Sequence, residues 1–201
     1  IQDKRLNSPV RRIDSVSATP TQPAGVCIST DAGQAYFDKV IIATHANQAL
    51  AMLAAPTRLE RSTLGALRTQ SNQAVLHTDV SVLPKSQTAW AAWNYERAPA
   101  TVKENARVCL HYLINRLQPL PWQQPVLVSL NPARDIDPAK VLGSYDYAHP
   151  VFDQAAVAAQ GWMPVLQGQQ SRYYCGAWMG YGFHEDGFKA GRAAAQGLLG
   201  A

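Results

Sequence analysis

The first third of the chain alternates apolar and polar residues and then changes to a helical spacing. A period of two predicts extended strands, and Asp31 and the glycines around it predict tight turns between them. The third extended segment ends in the apolar run 40–43, which is typical of a strand buried in a parallel sheet. We therefore expect a β-meander followed by helices. The predicted elements are strands at 9–18, 25–30 and 34–44 and helices at 46–54 and 59–67.

From Gln73 onward the pattern changes. Apolar or alternating segments are separated by turns rich in proline, asparagine or lysine, which predicts a largely antiparallel sheet. Residues 131–150 lack a regular period, and we expect them to form a loose connection. The remaining predicted elements are strands at 75–83, 88–95, 106–114, 126–130 and 172–175, a helix at 152–160 and a final helix beginning near His184.

Composition narrows the class of protein. The chain has 201 residues, of which 47% are hydrophobic and 16% charged, as in a globular protein that buries a core. The net charge of +4 is dispersed along the sequence, so we do not expect nucleic-acid binding. No apolar run reaches about 18 residues, so we expect no stable membrane insertion. The three cysteines are far apart in sequence, which predicts free thiols and a reducing, cytoplasmic location.

The histidines give no clear catalytic or metal site. None of the five has a metal-binding spacing such as His-x-x-x-His, so no metal is predicted. His77 and Asp79 would share one face of a strand, where a carboxylate could orient a general base. A structural hydrogen-bonded pair is the alternative interpretation. Catalytic residues therefore stay unassigned.

The middle of the chain is rich in aromatic residues. In a strand, Trp93 and Tyr95 point to one face and Trp90 to the other. An aromatic-lined cavity could hold an amine cation or a long apolar substrate, although aromatic residues of a sheet also form ordinary core. The residues concerned are Trp90, Trp93, Tyr95, Tyr112, Trp122, Tyr145 and Tyr147.

The last thirty residues carry the most specific pattern. A short apolar strand is followed by a loop with glycines at 176, 180 and 182 and then by an acidic helix start at His184-Glu185-Asp186. Such a loop brings free backbone N–H groups and the positive end of a helix dipole to one place. The arrangement suits the polar edge of a flavin or a phosphate. A simple tight turn is the alternative.

Residues 173–192 closely resemble the C-terminal flavin motif of the flavin-containing amine oxidase superfamily. The nearest resemblance within it is to the bacterial group of predicted NAD/FAD-binding proteins. No Gly-x-Gly-x-x-Gly turn occurs, and the sequence starts at Ile1, so we expect the C-terminal part of a longer enzyme. Further segments with the resemblance are 37–50, 75–79, 90–95, 115–118, 129–132 and 149–152.

The resemblance implies a mixed α/β fold with FAD as the cofactor. Residues 1–50 and 166–201 would form the C-terminal remainder of a Rossmann-like FAD-binding domain. Residues 51–165 would form an inserted substrate domain built on a largely antiparallel sheet, which in the family forms the roof over the flavin ring. A parallel sheet cut off in this way leaves an apolar face exposed, so we expect the isolated fragment to self-associate.

The resemblance also implies positions for the cofactor. Backbone N–H groups from His184 to Gly187 would face the flavin pyrimidine, Gly176 and Ala177 would lie against the ribityl-pyrophosphate, and Val10 would lie on the strand at the adenine. Many family members have glutamate where this chain has Ala177, and the lysine often found near flavin N5 has no match here. The implied cofactor-binding residues are Val10, Gly176, Ala177, Gly182, Phe183, His184, Glu185, Asp186 and Gly187.

The functional prediction is an FAD-dependent oxidoreductase. It would transfer a hydride from a small-molecule substrate, an amine or an unsaturated lipid-like compound, to the flavin. The alternative is a non-catalytic module that binds an apolar ligand or partner without flavin. A serine hydrolase is the weakest possibility because no Gly-x-Ser-x-Gly setting surrounds Ser129 or another serine.

Overall fold

The computed structural model describes residues 3–97 and 109–200, which divide into two units. Unit 1 comprises Ile1–Thr69 and Pro150–Ala201, and unit 2 comprises Gln70–His149. The strands are β1 (Val10–Val16), β2 (Gly25–Thr30), β3 (Gly33–Phe37), β4 (Val40–Ile42), β5 (Thr69–His77), β6 (Trp93–Glu96), β7 (Cys109–Leu113), β8 (Leu127–Leu130), β9 (Val141–Pro150) and β10 (Arg172–Tyr174). The helices are α1 (Ala46–Met52), α2 (Arg58–Ala66), α3 (Ile114–Leu117), α4 (Gln154–Gln160), α5 (Met163–Leu166) and α6 (His184–Leu199).

A mixed α/β fold with antiparallel sheets is therefore confirmed. The two units join near residues 69 and 150, whereas the sequence-based domains meet near residues 50 and 165. The flavin-binding and substrate-binding roles of the two parts stay predictions, as does a Rossmann-like origin for unit 1. No helix among the described residues is long and apolar enough to cross a membrane.

Unit 1 begins with the predicted β-meander. Strands β1, β2 and β3 form an antiparallel sheet in that order, with Ile13 opposite Ile28 and Ile28 opposite Ala35. The alternation seen in the sequence becomes burial of one face, since Ile13 and Val26 are buried while Arg12 is exposed. The third extended segment ends earlier than predicted, because the chain leaves this sheet after β3.

The apolar run after β3 forms a parallel pair, as its composition predicted. Strand β4 lies beside β10, with Val40, Ile41 and Ile42 opposite Arg172, Tyr173 and Tyr174. The backbone N–H of Cys175 donates to the carbonyl of Ile42 at 3.1 Å and extends the pairing by one residue. Parallel strands are normally covered on both faces, which explains why all three residues of β10 are buried.

Helices α1, α2, α4 and α5 contribute to the core of unit 1. Thr57 and Glu60 form a reciprocal capping box at the start of α2, in which each side chain accepts from the other's backbone N–H at 3.1 and 2.6 Å. Asp153 caps α4 by accepting from the N–H of Ala156 at 2.8 Å. The large buried side chains of this core are Ile13, Val26, Ile42, Leu53, Leu64, Leu67, Met163, Leu166, Tyr174 and Trp178.

A buried ion pair crosses this core. Arg172 Nη1 lies 3.1 Å from Glu60 Oε1, and each side chain is only 1% exposed. The Tyr174 hydroxyl donates to the same carboxylate at 2.6 Å, and Arg172 Nη2 donates to Ser15 Oγ at 2.7 Å. Burial and then the neighbouring Glu60 raise the pKa of Tyr174, so the phenol stays protonated and remains a donor. Glu60 of α2 therefore holds Arg172 and Tyr174 of β10 in place, and Arg172 extends the network to Ser15 of β1.

Unit 2 contains the predicted antiparallel sheet, with strand order β6-β7-β8-β5-β9. Two predictions were wrong here. The strand expected at 75–83 runs instead over Thr69–His77, and the chain then makes a 3₁₀ turn at Val80–Val82. The stretch 131–150, expected to be a loose connection, contains the ten-residue strand β9. Of the strand predicted at 106–114, the structure has Cys109–Leu113, and residues 106–108 lie outside the described part.

Strand β9 escaped prediction because it lies at the edge of the sheet. Eight of its ten residues are exposed, and Leu142, Tyr145 and Tyr147 are among them. Without a buried face, the sequence shows no apolar–polar alternation, so the pairing with β5 leaves no local signal.

Candidate functional site

An apolar groove lies in unit 1 where β1 and β2 meet β4 and α1. It has a volume of about 510 Å³. Val10, the first residue of β1, lines it together with the whole of β4 and with Thr44. The full lining is Pro9, Val10, Ile13, Ile28, Val40, Ile41, Ile42, Ala43, Thr44, Gln48, Ala51 and Met52.

The predicted glycine loop follows β10 and is bound to the end of β4. Trp178 is buried, and its indole Nε1 donates to the Thr44 carbonyl at 3.0 Å. The amide of Gln160, at the end of α4, donates to the carbonyls of Trp178 and Gly180 at 2.9 and 2.7 Å. A Cβ at Gly176 would overlap the Trp178 indole nitrogen, so only glycine allows this packing.

Asp186 holds the second half of the loop in shape. Its Oδ2 accepts hydrogen bonds from the backbone N–H groups of Tyr181 and Phe183 at 3.1 and 3.0 Å. Gly182 lies between these two donors with φ of 90°, a left-handed conformation that favours glycine. The acidic helix start is thus used to close its own loop, and α6 begins directly afterwards at His184.

The start of α6 leaves two donors open. The N–H groups of Asp186 and Gly187 both donate to the Phe183 carbonyl, at 3.1 and 3.2 Å. Within the described part of the chain, the N–H groups of His184 and Glu185 have no partner, and both residues are exposed. Four backbone N–H groups, from His184 to Gly187, were expected to be free for the cofactor. Only two of them are free, because those of Asp186 and Gly187 donate within the first turn of the helix.

Exposed aromatic side chains surround this helix start. Tyr181 is 83% exposed, Phe183 60% and Phe188 65%, which is unusual for three large apolar residues within eight positions.

The structure thus divides the predicted cofactor residues between two places in unit 1. Val10 lies in the groove, while the loop and helix start carry Gly176, Ala177, Gly182, Phe183, His184, Glu185, Asp186 and Gly187. The bond from Trp178 to Thr44 connects the loop to the edge of the groove. Binding of FAD by these residues stays a prediction.

Unit 2 contains a chain of buried polar side chains that the sequence did not reveal. His77 Nε2 lies 2.7 Å from Ser129 Oγ, and Ser129 Oγ lies 2.6 Å from His111 Nδ1. His111 Nε2 lies 2.9 Å from Glu96 Oε2, and Arg134 donates to the other carboxylate oxygen at 2.7 Å. His77, His111 and Ser129 are at most 1% exposed. The one available signal was Cys109-x-His111, which places both side chains on the same face of a strand.

A backbone N–H group determines which atom donates and which accepts in each of these hydrogen bonds. The N–H of Asp79 donates to His77 Nδ1 at 3.1 Å, so His77 carries its proton on Nε2 and donates it to Ser129. Ser129 then donates to His111, and His111 donates to Glu96. Burial lowers the pKa of His77 and keeps it neutral, which agrees with this assignment. The Asp79 side chain does not orient His77, since its carboxylate is bound by other groups.

The strand predicted at 88–95 begins only at Trp93, after a 3₁₀ turn at Gln87–Ala89, so Trp90 is not part of the sheet. Trp93 and Tyr95 are exposed on one face, where Trp93 contacts Tyr112 edge to face with ring centroids 5.3 Å apart. Trp90 packs against the buried apolar cluster of unit 2 instead. The open face of the sheet therefore carries aromatic side chains that are available for contact.

Three solved enzyme structures share the fold of this chain. A CLA-producing fatty acid isomerase from P. acnes has a TM-score of 0.57 and 13% identity, over 94% of this chain and 47% of that one. A protein from Exiguobacterium sp. 255-15 assigned as a protoporphyrinogen oxidase has a TM-score of 0.63 and 15% identity, over 98% and 48%. A putrescine oxidase double mutant with redesigned cofactor binding has a TM-score of 0.60 and 11% identity, over 97% and 49%.

These likenesses define the fold of the chain. The chain spans about half the length of each of the three solved structures. No protein-family model and no curated protein sequence matches it. The fold is therefore one that oxidases and a fatty acid isomerase use, and the identities of 11–15% carry no more than that.

Proposed function

We propose that this chain is part of an FAD-dependent oxidoreductase. The observation that carries the proposal is the glycine loop at the start of α6, where Asp186 closes the loop and the N–H groups of His184 and Glu185 stay open. Open N–H groups at a helix N-terminus suit an electron-rich edge, because the helix dipole adds to their partial positive charge. Solved structures with this fold include two oxidases, which supports the same class of activity.

The residues of unit 1 would divide the work of holding the cofactor. His184 and Glu185 would donate to the polar edge of the flavin ring, and Gly176 and Ala177 would lie against the chain that links the ring to the phosphates. Val10 would contact the adenine end from the groove. When bound, FAD supplies the redox chemistry by accepting a hydride from the substrate. The protein contributes orientation and a fixed positive potential at the ring edge.

The substrate class is an amine or an unsaturated lipid-like compound. Exposed aromatic side chains on the open face of the unit 2 sheet support both, since an aromatic face contacts an alkyl chain or a cation equally well. The solved structures with this fold include both a fatty acid isomerase and a putrescine oxidase. The free cysteines agree with a cytoplasmic location for the enzyme.

We further propose that a separate dinucleotide-binding unit completes the enzyme. Among the described residues, β4 forms hydrogen bonds with β10 alone, so its second edge is available for another parallel strand. The groove beside this edge is apolar, and the chain spans about half the length of the solved structures.

A second candidate function is a module that binds an apolar ligand without flavin. The same apolar groove favours it.

The absorbance spectrum of the complete gene product tests the proposal. We expect flavin bands in that product, and weak or no FAD binding by the 201-residue chain by itself. In the complete product, Asp186→Ala should lower the FAD affinity at least tenfold, because it removes the acceptor that shapes the loop. Asp146→Ala is the matched control, since Asp146 is an exposed aspartate of unit 2 that is not among the implied cofactor-binding residues.

Two outcomes would contradict the flavoprotein proposal. A complete gene product that carries no flavin and takes up no FAD would leave the apolar-ligand module as the better explanation. Equal FAD affinities of the Asp186→Ala and Asp146→Ala variants would remove the loop from the binding site.

We expect the 201-residue chain to self-associate when it is purified alone, because one edge of β4 is unpaired among the described residues. We expect light scattering to show a mass above that of the monomer, rising with concentration, because an unpaired strand beside apolar surface recruits a second copy. Ala51 is exposed and lines the groove, so Ala51→Glu should reduce the association. Val157→Glu, on the exposed surface of α4, should not. A monodisperse monomer of the unaltered chain would overturn this expectation.

A further inference from the structure

Glu96, Cys109 and His111 bring three different donor atoms to one point in unit 2. Cys109 Sγ lies 3.5 Å from His111 Nε2 and 3.9 Å from Glu96 Oε2, and the last two atoms are 2.9 Å apart. Cys109 and His111 are buried, and Glu96 is partly buried. The three residues come from paired strands, since Glu96 of β6 is directly opposite Cys109 of β7.

The spacing of these atoms matches a tetrahedral metal centre. Zn–S and Zn–N or Zn–O bonds of ordinary length at tetrahedral angles place sulfur about 3.6 Å from nitrogen, sulfur about 3.5 Å from oxygen, and nitrogen about 3.3 Å from oxygen. The observed separations of 3.5, 3.9 and 2.9 Å each differ from these by about 0.4 Å or less. Small side-chain rotations are therefore enough to seat an ion.

Neighbouring groups already orient two of the three donors. Ser129 Oγ lies 2.6 Å from His111 Nδ1, which leaves Nε2 facing Cys109 and Glu96. Arg134 holds Glu96 Oε1 at 2.7 Å and leaves Oε2 facing the same point. Metal-ligating histidines and carboxylates typically have such partners, which fix their orientation.

The donor types select the metal. A thiolate, an imidazole nitrogen and one carboxylate oxygen form a mixed set that suits Zn²⁺, whereas Mg²⁺ and Ca²⁺ prefer oxygen donors alone. A thiolate and a carboxylate together neutralise a divalent ion, so a partly buried site does not retain excess charge.

We propose that Glu96, Cys109 and His111 are three protein ligands of a mononuclear Zn²⁺ site. Binding releases the thiol proton of Cys109. His111 stays neutral: its proton moves from Nε2 to Nδ1, and Nδ1–H then donates a hydrogen bond to Ser129 Oγ, while the Ser129 hydroxyl hydrogen turns away from His111. The bound ion links β6 to β7 at residues thirteen positions apart in the sequence. This site is independent of the flavin proposal.

Cobalt(II) substitution of the metal-stripped chain provides the test. We expect one Co²⁺ per chain, with a thiolate-to-cobalt charge-transfer band and the intense d–d bands of tetrahedral coordination, both displaced by Zn²⁺. Cys109→Ser should abolish the charge-transfer band. Cys175→Ser is the matched control, because Cys175 is also buried and free but belongs to unit 1.

Two further variants separate a metal site from a hydrogen-bonded network. Ser129→Ala removes the acceptor for the His111 proton and should weaken Co²⁺ binding about 10- to 100-fold while keeping the band positions. Glu96→Gln should weaken binding at least tenfold and keep the thiolate band. An unaltered chain without the charge-transfer band, or one whose band survives Cys109→Ser, would overturn the proposal.

Discussion

Replacing Glu60 by alanine is expected to destabilise unit 1 by about 3–5 kcal/mol, because it leaves the Arg172 guanidinium buried without a counter-charge. Arg172 is 1% exposed and cannot reach solvent without moving β10. The same substitution removes the acceptor of the Tyr174 hydroxyl and of the Thr57 N–H at the start of α2. Hydrogen exchange of the β4 and β10 amides under native conditions measures the loss.

Two controls separate the charge from the packing. In a double variant, Glu60→Leu with Arg172→Met, no buried charge remains, so most of the lost stability should return. Lys189→Ala breaks only the surface pair with Glu185, where both side chains are more than 60% exposed, and should have no measurable effect. If Glu60→Ala and Lys189→Ala gave equal exchange rates, the ion pair would not support the core.

Replacing Asp79 by alanine is expected to destabilise unit 2 by about 3 kcal/mol, since it removes a buried carboxylate that accepts two backbone hydrogen bonds. The carboxylate accepts from the backbone N–H groups of Ser81 and Asp137, both at 3.1 Å, and lies 3.3 Å from Lys140 Nζ. It is buried at the turn between β5 and the rest of the sheet. Exchange of the β5 amides is the corresponding measurement.

The same carboxylate makes the stability of unit 2 depend on pH. Burial opposes ionisation of Asp79, but its hydrogen bonds with Asp137, Ser81 and Lys140 outweigh burial, so its pKa falls well below the ordinary 3.8. A lowered folded pKa means that the stabilisation is complete above 3.8 and is lost as the pH falls below that value towards the folded pKa. We therefore expect the β5 amides to lose protection in this acid range.

Asp79→Asn identifies the titrating group. It retains one acceptor oxygen and the volume of the side chain, so it should cost less than alanine at neutral pH and reduce the acid dependence. Part of the pH dependence of stability that remains in this variant comes from Glu96. The pKa of Glu96 is also lowered, because its hydrogen bonds with His111 and Arg134 outweigh the effect of burial. An unchanged pH slope in Asp79→Asn would contradict this assignment.

Much of the fold could be predicted from local pattern. The β-meander, the apolar strand β4, helix α2 and the helix after the glycine loop all lie where the residue spacing indicated. Apart from β3, which is mostly exposed, each has buried or partly buried residues on at least one face, so its burial follows the apolar pattern of the sequence. Strand β9 is mostly exposed and has no buried face. It forms because its backbone pairs with the free edge of β5.

One of the two candidate sites could be predicted from the sequence and the other could not. The loop from Gly176 to Asp186 could be found because its glycines, its acidic residue and its helix start are within about a dozen consecutive residues. The polar chain from His77 through Ser129 and His111 to Glu96 could not, because it depends on the register of four strands. The expectation that no metal binds was based on the spacing of histidines along the sequence and stays a prediction, because such spacing does not detect residues that meet across a sheet.

The sequence by itself determined the strands and helices with a buried face, the absence of a long apolar span and the shape of the final loop. These depend on interactions between residues close together in the chain, and composition and period record such interactions directly. The tertiary structure alone decided that β4 pairs with β10, that Glu60 meets Arg172, and that Glu96, Cys109 and His111 converge. Such contacts join residues from 13 to more than 100 positions apart, and no local pattern encodes which of the many possible pairings has the lowest free energy.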